Sequence, residues 1–206
     1  MDIAGIMRIM DASARTRHTL ERSLHEIDRR ALNAMVLVKR HGNKLASYGV
    51  VAQAFREQAV HLKEATAPLQ QLIAPLVRAN LRIVQHRRFE EIYEQAARMM
   101  QGSNRGRAFL KQSEKNWRSD IAADEVEGVR ILRQLTETVA LLQEGITEQE
   151  YVVTNGRIEA ALSEDTGASL MRVSQEMGLA VTKVREAIWG YHAELEEVLH
   201  ESSAGV

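Results

Sequence analysis

The chain contains no cysteine, which excludes disulfide bonds, thiolate metal sites and catalysis by a cysteine nucleophile. Proline is almost as scarce, with two residues in 206, and aromatic residues make up only 4% of the sequence. This composition suits long α-helices better than a β-sandwich or barrel. The sequence also lacks a signal-peptide pattern and any apolar run of the roughly 18 residues that span a bilayer. We therefore expect an all-α, cytoplasmic protein without a membrane span.

The formal net charge is only −1, but the charge is unevenly distributed. Residues 1–107 hold 18 Lys and Arg against 10 Asp and Glu, whereas residues 108–206 hold 9 against 18. A basic half is one property of nucleic-acid-binding proteins. Here the basic residues lack interleaved aromatics and fall on several helix faces, so nucleic acid is not the favoured partner. The favoured interpretation is that the two halves are electrostatic complements that pack on one another.

Apolar residues recur at steps of three and four along four segments, 3–38, 48–99, 121–153 and 170–198. Such spacing is typical of helices that bury one face in a bundle or coiled coil. No segment shows the alternation of a β-strand strongly enough to compete.

The second segment contains both prolines, Pro68 and Pro75. Because proline removes a backbone donor and clashes with the preceding turn, we expect a kink or short break near 65–75. Beyond it the apolar stripe continues through Ile92, Ala96 and Met99, which the periodicity predicts to lie in the bundle core.

Turn-prone residues divide the chain into two helical hairpins. The first hairpin covers 1–100 with its tip near 42–47, and the second covers 107–201 with its tip near 163–167. A linker at 101–106 joins them. The predicted fold is a single long antiparallel up-down-up-down four-helix bundle, with both tips at the same end.

The two hairpins also repeat in sequence. A step of 122 residues brings Asn33 onto Asn155, and a turn-prone patch follows each asparagine, at Gly42 and at Gly167. Duplicated helical units of this kind bury their apolar faces against each other, which points to assembly rather than catalysis.

The tip segments carry a family resemblance. The stretch from 31 to 66, about 36 residues, aligns without a gap with the signalling tip of bacterial chemoreceptors, the methyl-accepting chemotaxis proteins. It resembles that tip through residues 31–42 and 48–66. The second copy keeps other letters of the same pattern: Asn155, Ile158, Glu159, Ala160, Ala161, Gly167, Val173 and Glu176. The chain therefore resembles a single-chain version of a tip that is a homodimer in that family.

The resemblance implies a docking function. In the family the tip binds a histidine kinase and its coupling adaptor, so this chain is expected to be a signalling module that docks such partners. The residues that the resemblance places at the docking surface are Asn33, Arg40, Gly42, Val50, Val51, Asn155, Glu159 and Gly167. The chain departs from the family pattern where Leu37 replaces a glutamate in the first copy and Leu162 replaces an arginine in the second. The Gly-Arg-Gly of the family's tip turn is also changed, to residues 45–47 (Leu-Ala-Ser) and 167–169 (Gly-Ala-Ser).

Several tip residues have a structural alternative. Asn33 and Asn155 are either buried asparagines that fix helix register or partner contacts. Capping of the first helix is favoured over partner contact for Arg40, and Gly42 fits a left-handed helix cap. For Glu159 an ion pair across the bundle with the first copy is slightly favoured.

We expect neither an enzyme nor a cofactor. No nucleophile–base set and no glycine-rich phosphate loop is present. His192, Glu196 and His200 share a helix face, but a di-iron bundle needs further inward carboxylates, so a solvated charged face is favoured over a metal site.

Two other functions remain open at this stage. One is a purely structural bundle that associates with further copies of itself and has no kinase coupling. The other is a sequence-independent nucleic-acid binder that uses the basic half, and it predicts binding that falls steeply with salt.

Overall fold

The computed structural model describes residues 3–99, 104–163 and 167–204. The helices are α1 (Ile3–His41), α2 (Ala46–Ala65), α3 (Ala67–Met99), α4 (Asn104–Leu162) and α5 (Gly167–Ala204), with a 3₁₀ turn at Gly42–Leu45. No strand occurs among these residues, so the all-α prediction is confirmed. Over the same residues, no helix is both long and apolar enough to cross a membrane.

The helices form an antiparallel four-helix bundle. Helix α1 packs on α2 and α5, while α4 packs on α2, α3 and α5; over the described residues α1 and α4 do not meet. In cross-section α1 and α4 therefore lie at diagonally opposite corners of the bundle. Helices α2 and α3 follow one another along the corner opposite α5. Ion pairs between early and late positions give the direction, because Arg8 bonds Glu197 while Arg30 bonds Glu176. The predicted up-down-up-down topology is confirmed.

The predicted second helix is broken, as the prolines indicated. Helix α2 ends at Ala65, and the Thr66 N–H donates to Leu62 O at 3.2 Å and to Lys63 O at 3.3 Å. The Thr66 hydroxyl also donates to Lys63 O, at 2.6 Å. Pro68 follows in the first turn of α3, where a missing N–H is tolerated.

The turns differ in part from the prediction. The first tip is the 3₁₀ turn at Gly42–Leu45, whereas most of the second tip, 164–166, lies outside the described residues. Of the predicted 101–106 linker, 101–103 also lie outside them. Residues 104–106 are helical, since α4 begins at Asn104.

The sequence repeat is also a repeat in packing. Residues 122 apart are buried in both hairpins, and the pairs include Leu20 with Leu142, Leu24 with Ile146, Ala31 with Val153, Phe55 with Met177, Ala59 with Val181, and Leu62 with Val184. A fully buried aliphatic or aromatic side chain of this size contributes about 1.5–3 kcal/mol relative to an exposed one. The shared core is therefore the main stabilising element of the fold.

Ion pairs join the basic half of the chain to the acidic half. Six pairs between described residues connect 1–107 with 108–206, and in five of them the arginine belongs to the first half. Arg82, for example, binds Asp124 through Nε at 3.0 Å. These pairs agree with the expected packing of the basic half on the acidic half.

The four-helix packing does not extend along the whole of the described chain. Helix α1 begins beside Ile83, where Ile3, Ala4 and Val84 line a shallow groove. The same groove includes Arg87, Arg88 and Glu91; beyond it, α3 and α4 pack only on each other among the described residues, and we call 84–99 of α3 with 104–123 of α4 the arm. The α3 part of the arm is about 24 Å long at the helical rise per residue.

The arm lacks a core. No residue in 84–99 or 111–123 whose burial the structure describes is buried. Ile92 and Met99, predicted to be core residues, are 51% and 85% exposed. The prediction was wrong for a physical reason: α1 and α5 do not reach this level of the molecule, so the apolar stripe of α3 has no helix to cover it.

Close helix approach depends on glycine at one position of the core. A Cβ atom on Gly156 of α4 would lie 2.9 Å from Ser174 Oγ and 3.3 Å from Val51 Cγ1. A larger side chain there would push α4 away from both α2 and α5.

We predict that Gly156→Val lowers the free energy of unfolding by about 1–3 kcal/mol through overpacking. The matched control is Gly190→Ala, because a Cβ on Gly190 meets nothing within 4 Å. That variant is expected to gain about 0.5–1 kcal/mol from reduced backbone entropy of the unfolded chain. Urea unfolding followed by circular dichroism measures both, and equal effects of the two substitutions would contradict the close approach.

Candidate functional site

The first tip is shaped by the end of α1. Gly42 adopts φ = +64°, the left-handed conformation that ends helices and that glycine adopts without strain. His41 Nδ1 lies 2.9 Å from Leu37 O, so the Nδ1–H tautomer caps this carbonyl. Gly42 therefore has the predicted role, whereas the side-chain cap is His41 rather than Arg40.

Tyr48 connects the two hairpins just below the tips. Its side chain is fully buried, and its hydroxyl donates to Leu170 O at 3.2 Å. Leu170 follows Tyr48 by 122 residues, the step that relates the two hairpins in sequence. The Ser174 hydroxyl, 2.8 Å from the tyrosine oxygen, then serves as donor to it. Burial raises the pKa of Tyr48, and the bond with Ser174 partly opposes that increase.

A small apolar cluster surrounds this tyrosine. It is separate from the main core and contains residues of both hairpins: Ala34, Leu45, Tyr48, Ala52, Ala160 and Leu170. The tips are thus held side by side by their own packing and by a buried hydrogen-bond bridge.

Three of the predicted docking residues have structural roles in the tip. Val51 is only 9% exposed and packs against Gly156, so its predicted availability to a partner was wrong. A Cβ on Gly167 would lie 2.6 Å from Ala160 O, which means that α5 can begin here only with glycine. Gly42 is required by its backbone conformation.

The other predicted residues lie nearer the surface. Asn33 and Asn155 are both exposed, so the alternative of buried register-setting asparagines was wrong. Glu159 is half-buried, and no described residue forms an ion pair with it, which contradicts the favoured pairing across the bundle. Arg40 and Val50 are exposed, and Val50 reaches 71%.

The exposed tip residues form two equivalent surfaces. On α1, Asn33, Val36 and Arg40 follow the i, i+3, i+7 spacing of one helix face, which we call the α1 face. The residues 122 positions later are Asn155, Ile158 and Leu162, which form the α4 face. Val36 and Ile158 are each 51% exposed, and Leu162 is 71% exposed.

The two faces lie on opposite sides of the bundle, because α1 and α4 are diagonal. Each presents an asparagine amide beside a β-branched aliphatic side chain, and they differ in the third position, Arg40 against Leu162. Sequence reasoning missed Val36 and Ile158, although their position three residues after each repeated asparagine is a signal that could have found them.

The tip offers no metal-binding arrangement among the described residues. Across the described part of the chain, no group of three or more His, Asp and Glu side chains is placed to hold a metal ion. The His192 and Glu196 side chains, singled out by their spacing, lie 4.0 Å apart on α5.

No family model, curated protein or solved structure matches the chain.

We predict that Tyr48→Phe lowers the free energy of unfolding by about 1–2 kcal/mol, since it removes the bridge between the hairpins and leaves Leu170 O without this donor. Tyr151→Phe is the control, because Tyr151 is 69% exposed and should change stability by less than about 0.5 kcal/mol. Thermal and urea unfolding of both variants measure the difference, and two variants of equal stability would refute the bridge.

The same tyrosine predicts a pH dependence. Its pKa is raised above 10.0 in the folded protein, so above pH 10 the unfolded chain loses this proton before the folded chain does. The stability advantage of the wild type over Tyr48→Phe is therefore complete below pH 10 and shrinks as the pH rises further. Urea unfolding at pH 8 and at pH 10.5 tests this, and a constant difference would contradict it.

Proposed function

We propose that this chain is a non-enzymatic cytoplasmic signalling module that docks the histidine kinase or the coupling adaptor of a chemotaxis-type array through its paired hairpin tips. The observation that carries the proposal is the duplicated exposed surface, Asn33–Val36–Arg40 and Asn155–Ile158–Leu162. It lies within the segments that resemble the chemoreceptor tip.

The shape of these surfaces supports protein docking. An aliphatic side chain flanked by an amide and a charged group is a small version of the apolar centre and polar rim found at protein interfaces. The buried Tyr48 bridge and the glycine-dependent turns hold the surface on rigid helices, which reduces the entropy lost on binding.

The α1 face is the better candidate for the principal docking site. It retains the arginine of the family pattern at Arg40, and that side chain forms no bond with the described residues. The α4 face carries Leu162 in its place, so a partner that requires a cation finds it only on the first hairpin. We therefore expect one high-affinity partner per chain.

The experiment is a calorimetric titration of the full chain with the coupling adaptor of its own host. The double variant Asn33→Ala/Arg40→Glu is expected to bind at least about tenfold more weakly, because it removes the amide and reverses the charge. Val36→Asp should weaken binding similarly, whereas Ile158→Asp on the opposite face should change it by less than about threefold.

Arg15→Glu is the matched control, since it makes the same charge change toward the other end of α1. It is expected to keep wild-type affinity within about twofold once salt screens long-range attraction. Absence of saturable binding by the wild type, or equal loss in the Arg15 and Arg40 variants, would contradict the proposal. The first result would favour the alternative of a structural, self-associating bundle.

A further inference from the structure

The α3 helix carries a second apolar stripe that the described residues leave largely exposed. The stripe runs along the arm and its base, with heptad-like steps of four, four, three, four and three: Leu81, Gln85, Phe89, Ile92, Ala96 and Met99. Leu81 is 56% exposed, Phe89 and Ile92 are each 51% exposed, and Met99 is 85% exposed. We call these residues the α3 stripe.

Helix α4 contacts a different side of α3. Glu90 bonds Arg118 at 3.1 Å, and the Tyr93 ring meets Trp117 edge-on with ring centroids 4.8 Å apart. Phe89 stacks on the same tryptophan at 6.1 Å with part of its ring, and the remainder stays open. Polar and aromatic contacts thus hold the arm together, while the described residues leave most of the α3 stripe exposed.

The α3 stripe is nearly palindromic. Two copies of α3 can be laid antiparallel, with the two-fold axis at the midpoint between Phe89 and Ile92. Phe89 of each copy then faces Ile92 of the other. Gln85 then lies opposite Ala96, and Leu81 lies one residue, about 1.5 Å along the helix axis, from the point opposite Met99. Apolar residues therefore meet apolar residues at both ends and at the centre of the contact.

We propose that the arm is a homodimerisation surface, on which the α3 stripe binds the α3 stripe of a second copy of this chain in an antiparallel, two-fold arrangement. The pairing is independent of the tip function. A two-fold contact of this kind is closed and so produces dimers rather than filaments. It also brings four helices together at the level where the bundle of each chain has only two.

Charge supports the second copy as the occupant. Arg88 and Glu91 lie on one flank of the α3 stripe, and in an antiparallel pair the same flanks meet. Arg88 then lies two residues, about 3 Å along the helix axis, from the point opposite Glu91 of the second copy, a distance that two long side chains span, and the reverse pair forms by symmetry. Within one chain these side chains bond to each other at 2.8 Å but remain 73% and 64% exposed, so both are available.

The α4 part of the arm is complementary in the same way. Its far end carries the exposed Lys111 and Lys115, and its base carries the exposed Asp120, whereas Asp124 and Glu125 already bond Arg82 and Arg87 of the same chain. Antiparallel arms place the basic end of each beside the acidic base of the other, which favours this orientation over a parallel one.

Sedimentation equilibrium of the full chain is the first test. The wild type is expected to dimerise, and Ile92→Glu should raise the dimer dissociation constant at least about tenfold. Leu179→Glu is the control, because Leu179 is an exposed aliphatic residue of α5, 65% accessible, and should leave the constant within about twofold. A wild type that stays monomeric, or equal loss in both variants, would overturn the proposal.

Charge reversal tests the register. Arg88→Glu and Glu91→Arg should each weaken the dimer, since like charges then face each other, and the double variant Arg88→Glu/Glu91→Arg should recover it. Failure of the double variant to recover dimerisation would overturn the antiparallel pairing.

The absence of native cysteine permits a direct test of orientation. A mixture of Gln85→Cys and Ala96→Cys chains should form a disulfide-linked heterodimer under mild oxidation, whereas Gln85→Cys alone should not cross-link efficiently. Cross-linking of Gln85→Cys alone would indicate a parallel pair and overturn the proposal. Asn33→Ala/Arg40→Glu should dimerise like the wild type, so failure of the tip proposal and failure of this one are distinguishable.

Discussion

The fold depends on one constraint: the apolar seam of each hairpin can be covered only by the other hairpin. Leu24 and its repeat partner Ile146 are both buried for this reason, as are the other core pairs. Mutual coverage fixes the antiparallel order of the helices and brings both tips to the same end. It also explains where the core stops, because the arm lies beyond the ends of α1 and α5 and retains only two of the four helices.

Much of this architecture could be predicted from the sequence, because the governing interactions are local. The break before Pro68 follows from a missing backbone donor, and the end of α1 follows from the left-handed conformation of Gly42. The four helices follow from apolar spacing. The exposed Ile92 and Met99 could not be predicted in this way, because helical spacing marks an apolar face without showing how many helices reach that level.

The tip shows a similar division. The repeat and the resemblance pointed to one end of the molecule, and five of the residues that they named are exposed there: Asn33, Arg40, Gly42, Val50 and Asn155. They could not separate Val51, which fills space beside Gly156, from Val50, its exposed neighbour, because that distinction depends on the rotation of α2 against α4 and α5. Val36 and Ile158 lie three residues after the repeated asparagines and so on the same helix face. A search for the helix-face neighbours of Asn33 and Asn155 would have added both to the candidate site.

The presence of both hairpins in one chain has a consequence for how the molecule responds to dilution. Where two separate subunits form such a bundle, the fraction of paired tips falls as the protein becomes scarce. Here tip pairing is intramolecular, so every folded molecule carries a complete tip at any concentration. Because both hairpins belong to one chain, the two sides of the tip need not have the same sequence. Arg40 and Leu162 occupy equivalent places, and a substitution on one side leaves the other side unaltered.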